Sequence, residues 1–227
     1  MTALAKLLLL TYVLPSGVLL RQMSVQRSGL LPDHYDVSGT VTLTGDEAKR
    51  AASGLGMSPQ DPLLLPARFS FSPGKCALQI SGAQRVTATN SGGQMVFDPP
   101  ASAQTAEFAG WLARLGCFPF LYRGEGSEAA FESFLRKAGG DLDEAALTLE
   151  GGEVSYVLGA GEDGAGKVGL VVQKRGMVPL RVWETEGSTR VEVLFRDYRS
   201  MFHSAGFPTV LELRSGSQTV ARFVAAQ

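Results

Sequence analysis

From Ala145 to Val224 apolar and polar residues alternate in short runs with no helical spacing between them, a pattern that predicts an unbroken β-meander. The runs are Glu153 to Leu158, Lys167 to Gln173, Val178 to Trp183, Thr189 to Arg196, Thr209 to Arg214 and Thr219 to Val224, separated by turns rich in Gly, Ser or charge. Connections this short make neighbouring strands antiparallel. Upstream, Asp36 to Leu43 alternates in the same way and predicts a first strand. Thr44 and Glu47 then form a T-x-x-E capping box, which predicts a short helix to about Ser53, stopped by Gly54. Leu63 to Ser72 and Cys76 to Ser81 predict a hairpin around Pro73 and Gly74, with Phe69 and Phe71 on one face and Leu78 and Ile80 alternating on the partner strand. Arg85 to Thr89 and Gln94 to Phe97 predict a second, weaker hairpin.

Helical spacing enters only in the middle of the chain. Phe108, Trp111, Leu112 and Leu115 fall at i, i+3, i+4 and i+7, and Phe131, Phe134, Leu135 and Ala138 repeat that spacing. Ser127 is placed to cap the second helix and Gly139-Gly140 to end it. Two readings of these stripes follow. Either they cover one face of the sheet and complete a packed core, or a strongly curved sheet beneath two aromatic helices leaves an apolar cavity for a hydrophobic ligand.

Length and charge narrow the class. A chain of 227 residues suits one large β-rich domain. With 21 Lys and Arg against 22 Asp and Glu, no field favours nucleic acid or an anionic membrane surface. Leu7 to Leu14 has the length of a signal-peptide hydrophobic region behind Lys6, with Pro15 to Gly17 after it, although no A-x-A site follows. The alternative is a first helix with Leu19, Leu20 and Met23 on its inner side. The leader reading is preferred, with residues 1–17 as its remnant and 18–227 as one domain. No segment has the ~20 apolar residues of a membrane-spanning helix.

Cys76 and Cys117, with His34 and His203 elsewhere, are too few for a zinc site, so no metal and no other cofactor is expected. In an exported protein the two cysteines form a disulfide more naturally than two buried thiols. Gly159 to Gly164 matches G-x-G-x-x-G and Gly161 to Lys167 begins a phosphate-binding loop, but Val168 stands where Ser or Thr would hold magnesium. A β-branched strand follows where a helix is required, so the segment reads as a glycine-rich hairpin turn. No nucleophile elbow, H-E-x-x-H or H-x-E with paired Cys occurs, and Asp141, Asp143 and Glu144 read as a solvated turn before a strand. Enzymatic activity is not expected.

The order of elements resembles the periplasmic lipoprotein-carrier family of LolA and LolB and its outer-membrane lipoprotein-sorting relatives. The resemblance rests on Val37-Ser38-Gly39-Thr40-Val41, on Pro73-Gly74-Lys75-Cys76, and on Val171-Val172-Gln173-Lys174 followed by Pro179-Leu180-Arg181-Val182. It extends to Val193-Leu194-Phe195-Arg196-Asp197-Tyr198 and Phe207-Pro208-Thr209-Val210, and so spans most of Val18 to Val224. It implies an α+β fold, mainly antiparallel β, with a half-open curved barrel covered by two or three helices. It further implies a non-catalytic, monomeric periplasmic carrier of lipoprotein acyl chains or another lipid. The candidate cavity residues are then Phe69, Phe71, Leu78, Ile80, Phe108, Trp111, Leu112, Leu115, Phe131, Phe134 and Leu135. An envelope scaffold that keeps the fold, fills its cavity and binds a protein partner is the alternative. Many carriers have an Arg before the Pro of the early strand, associated with lid closure; here Ser72 precedes Pro73, so that latch does not carry over. No Cys near the N-terminus is placed to carry a lipid anchor, which favours a soluble carrier over an anchored receptor.

Overall fold

A computed structural model of the chain describes residues 14–30, 33–72, 75–91, 94–100, 102–118, 127–161, 165–199 and 206–226. Four helices and twelve strands are formed among them. In chain order these are α1 (Ser16–Arg27), β1 (Tyr35–Leu43), α2 (Gly45–Gly54), β2 (Leu63–Ser72), β3 (Lys75–Ser81), β4 (Arg85–Ser91) and β5 (Gln94–Asp98). They continue with α3 (Ala103–Gly116), α4 (Ser127–Lys137), β6 (Asp141–Glu150), β7 (Glu153–Gly159) and β8 (Val168–Gln173). The chain ends in β9 (Pro179–Glu186), β10 (Thr189–Arg199), β11 (Phe207–Ser215) and β12 (Gln218–Ala225).

All twelve strands belong to one curved, unclosed antiparallel sheet in the order β5-β4-β3-β2-β1-β12-β11-β10-β9-β8-β7-β6. Every pairing but one joins strands that follow each other along the chain, as alternating runs with short connections require. The remaining one, β1 with β12, joins the N-terminal and C-terminal halves in a register from Gly39 against Ala225 to Leu43 against Ala221. Close approach is built into that seam, because a Cβ at Gly39 would come within 2.7 Å of the Phe223 ring. Alternation sorts the two faces: Leu63, Leu65, Ala67, Phe69 and Phe71 of β2 are buried, while Leu64, Pro66 and Arg68 between them are exposed.

The concave face is covered by the helices, and the two expected aromatic stripes lie on α3 and α4. α3 packs on β3, β4, β5, β10 and β11 and against α2, whereas α4 packs on α1 and β6. α1 buries Leu19, Leu20 and Met23. Ser102 caps α3 by accepting from the Thr105 amide. Gly139, at φ 82°, ends α4; its amide donates to Arg136 O and that of Gly140 to Leu135 O, at 3.0 and 2.7 Å. These bonds satisfy carbonyls at the helix end, as expected from Gly139-Gly140. The Ser127 side chain lies outside the described residues.

Two local expectations need correction. No side-chain bond caps α2 at Thr44: the Gly45 amide donates to Asp61 instead, and Glu47 pairs with Arg50. The helix runs one residue past Ser53 and the chain turns at Gly56, where φ is 67°. β6 starts at Asp141, so Asp141, Asp143 and Glu144 lie within a strand whose register shifts between Asp141 and Ala145. Most of the Leu7 to Leu14 run, the turn at Pro73 and Gly74, and His203 lie outside the described residues.

The glycine-rich segment has a packing role. Residues 162–164 lie outside the described set, and β8 begins at Val168 as the alternation requires. On the convex face, Trp183 lies across Gly169 so closely that a Cβ there would overlap the indole. Its Nε1 donates to Gly166 O at 3.1 Å, while Arg181 and Arg190 stack on the ring at 5.5 and 3.9 Å. This sinks Trp183 to 1% exposure outside the main core, beside Val157, Ala160 and Val171.

Cys76 and Cys117 form a disulfide with Cα atoms 6.1 Å apart, tying the end of α3 to β3 across 41 residues. In the chain-entropy account a loop of this size stabilises the fold by about 4 kcal/mol. The double variant Cys76→Ser/Cys117→Ser should therefore lose stability on that order in urea unfolding, and reductant should shift the wild type but not the variant. Equal midpoints for wild type and variant would show that the bridge contributes nothing.

Candidate functional site

The candidate residues converge on the space between the concave face and the helices. Phe69, Phe71, Leu78 and Ile80 of β2 and β3 are buried there, as are Phe108, Leu112 and Leu115 of α3 and Phe131 and Leu135 of α4. These nine belong to one contiguous apolar cluster, and Trp111 and Phe134 are half-buried and packed against it. Their positions follow from local sequence, since a period of two aims alternate strand residues inward and the i, i+3, i+4 stripe aims one helix face at them.

Aromatic rings hold the arrangement together. Phe69 meets Phe223 edge-on at 5.0 Å, and Phe71 stacks on Tyr35 at 4.5 Å and touches Phe207 at 6.1 Å. Phe118, just past α3, meets Phe131 at 4.3 Å and Phe134 at 5.2 Å, bridging the two helical units. Each such pair contributes roughly 0.5–1.5 kcal/mol beyond its burial. Tyr35, Phe118, Phe207 and Phe223 are absent from the sequence-derived set. Phe207 and Phe223 stand at or beside predicted strands, so alternation carried a signal for them; Phe118 lies after the helical stripe, where periodicity gives none.

At the rim of this interior is a polar hollow of about 220 Å³, where α3, the end of α4 and β9 meet. Glu184 of β9 points to the same face as Val182 and is only 7% exposed. Its Oε2 pairs with Arg114 Nη2 of α3 at 2.8 Å, and Arg114 also lies over the Trp111 ring at 5.7 Å. Burial, the largest cause, raises the Glu184 pKa above the usual carboxylate value; Arg114 opposes this and Glu186 adds to it. Alternation places Glu184 in phase with Val182, one residue past the predicted run, but its charge gave no reason to expect burial, because its ion-pair partner comes from a distant helix. A larger groove of about 400 Å³ lies along Val18, Arg21 and Val25 of α1, on residues turned away from the buried Leu19, Leu20 and Met23.

Asp141 and Asp143 are exposed, with the Asp143 amide donating to Asp141 Oδ1 at 2.9 Å. Among the described residues no group of three or more His, Cys, Asp or Glu is placed to hold a metal. Among them, too, no helix is long and apolar enough to cross a membrane.

A half-open antiparallel barrel with helices across its concave face is an architecture found among solved structures. A LolA superfamily protein from Nitrosomonas europaea superposes with a TM-score of 0.52 at 14% identity, over 94% of this chain and 92% of that one. A domain from Vibrio parahaemolyticus, described as a putative outer membrane lipoprotein-sorting protein, gives a TM-score of 0.46 at 10% identity, over 93% and 90%. No family model matches the sequence, and no curated protein matches it. The chain thus has a LolA-like fold, established by the first of these structures and by its own topology.

Because its pKa is raised in the folded protein, Glu184 favours folding most when protonated, and this contribution is lost as pH rises through its elevated value. Glu184→Gln should therefore flatten the fall in stability from about pH 4.3 upward. Urea midpoints across that range test this; parallel pH profiles for wild type and variant would contradict it.

Proposed function

We propose that this protein is a non-catalytic carrier or binding protein for acyl chains, held between the concave face of the sheet and its helical cover. One observation carries the reading: the apolar interior is roofed by two helical units with different supports. α3 rests on the sheet and is tied to β3 by the disulfide, whereas α4 rests on α1 and the edge strand β6. The rings of Phe118, Phe131 and Phe134 form the seam between them. Parting that seam would expose Phe69, Leu78, Leu112 and Leu135 without breaking any strand pairing. Burial of an acyl chain is worth about 0.8 kcal/mol per CH₂, so apolar walls supply affinity without a covalent step. The LolA-like fold agrees with this reading, with lipoprotein acyl chains or another lipid as cargo. A disulfide fits an oxidising compartment, here the periplasm, and the protein is taken to act as a monomer.

The filled state of the interior favours a second reading, that of an envelope scaffold which keeps the fold and binds a protein partner. Phe69, Phe118 and Phe131 are fully buried by the protein's own side chains, with no lipid needed to cover them. The two readings differ in what accompanies the protein: lipid in the first, a polypeptide without lipid transfer in the second.

A dansyl-labelled long-chain fatty acid separates them. The carrier reading expects one bound probe per chain with micromolar or tighter affinity, blue-shifted emission and a raised melting temperature. Native mass spectrometry of the purified protein should also show co-purified lipid. Absence of both lipid and probe binding would leave the scaffold reading.

A further inference from the structure

We propose that the polar hollow beside Trp111 is a headgroup site for a zwitterionic lipid of the phosphoethanolamine class, positioned at the rim of the apolar interior. This rests on the acyl-chain reading above and names the kind of lipid it would take. The hollow is built from both signs of charge: Glu184 and Glu186 from β9, Arg114 from α3 and Lys167 from the approach to β8. Trp111 supplies one aromatic wall. At about 220 Å³ it is below the usual size of a site for a drug-sized ligand and suits a headgroup better than a long chain.

The central observation is the unmatched oxygen of Glu184. Arg114 engages Oε2, but Oε1 is buried without a hydrogen-bond partner among the described residues. A buried carboxylate oxygen in that state carries a desolvation cost that a donor would relieve. Glu186 lies two residues on in the same strand, hence on the same face, and its charge raises the cost of ionising Glu184. A protonated primary amine answers both needs, donating to Glu184 and offsetting the charge of Glu186. An anionic group alone would meet this buried carboxylate unfavourably.

The cations complete the match. Arg114 is 40% exposed at its side chain, and Lys167 is exposed, so both retain donors for a phosphate on the solvent side of the ammonium. The polarity is therefore ammonium inward and phosphate outward. Behind the hollow stands the apolar core: Val168 and Val182, which flank its polar residues in sequence, are fully buried in the same cluster as Leu135. A chain attached through the glycerol would need to pass only that wall to reach the seam between α3 and α4.

Lysophosphatidylethanolamine and lysophosphatidylglycerol of the same acyl chain test the site, with soluble glycerophosphoethanolamine as a third probe. The wild type should bind the ethanolamine lipid about tenfold more tightly than the glycerol lipid, the scale of one buried charge-assisted hydrogen bond. Glu184→Gln and Glu186→Gln should erase this preference while the fatty-acid probe still binds. Equal affinity of the wild type for the two lipids, or a preference that survives both substitutions, would overturn the proposal. If the fatty acid fails to bind but glycerophosphoethanolamine still shifts Trp fluorescence in the wild type and not in Glu184→Gln, the polar site stands and the carrier reading falls. Binding of glycerophosphoethanolamine as tight as that of the lysolipid would overturn the lipid as its source.

Discussion

The pairing of β1 with β12 is the constraint on which the molecule depends. Every other strand meets a neighbour close in sequence, so local connections could assemble two separate meanders. Only the β1–β12 ladder joins them into a single sheet wide enough to curve around a core. The absence of a side chain at Gly39 lets Phe223 lie over the seam, and Phe69 packs edge-on against the same ring. Because β5 and β6 at the two ends do not pair with each other, the sheet stays open and its apolar concave face needs a cover. That requirement places the helices, and the helices place the candidate site.

The two faces of the sheet meet solvent by different means. The concave face hides its aromatic side chains beneath helices, while the convex face relies on charged neighbours. Arg181 pairs with Glu150 at 3.1 Å and Glu192 at 3.6 Å while also stacking on Trp183, and Glu212 lies between Arg196 and Arg214. Partly exposed pairs of this kind contribute little individually. The guanidinium planes and aliphatic stems of Arg181 and Arg190 nevertheless cover an indole that no helix among the described residues reaches. The glycine-rich segment before β8 serves the same end, accepting from the Trp183 indole at Gly166.

Much of this arrangement was legible in the sequence because it is local. The meander, both early hairpins and the stripes of α3 and α4 follow from periods of two and 3.6, and Val168 correctly argued for a strand after the glycine-rich turn. Non-local features were harder to read. β6 was expected only from Ala145 because Asp141, Asp143 and Glu144 resemble a turn, whereas an edge strand tolerates charge on solvent-facing positions. The Thr44 capping box does not form, and a carboxylate 16 residues away, Asp61, instead takes the first amide of the helix at Gly45. Alternation puts Glu184 in phase with inward Val182, but a buried charge is explained only by Arg114 arriving from a helix about 70 residues earlier in the chain. The apolar candidates fall in one cluster, yet Phe118, which bridges the helical units, lay beyond the last position the stripe could mark.

The central claim is that the space under α3 and α4 opens to admit an acyl chain, and intermolecular nuclear Overhauser effects test it most directly. With a perdeuterated protein carrying protonated Phe, Leu and Ile side chains, a bound fatty acid should show cross-peaks from its methylenes to Phe69, Leu78, Leu112 and Phe131. Cross-peaks confined to exposed Leu64 or Leu149, with none to those interior residues, would contradict the account.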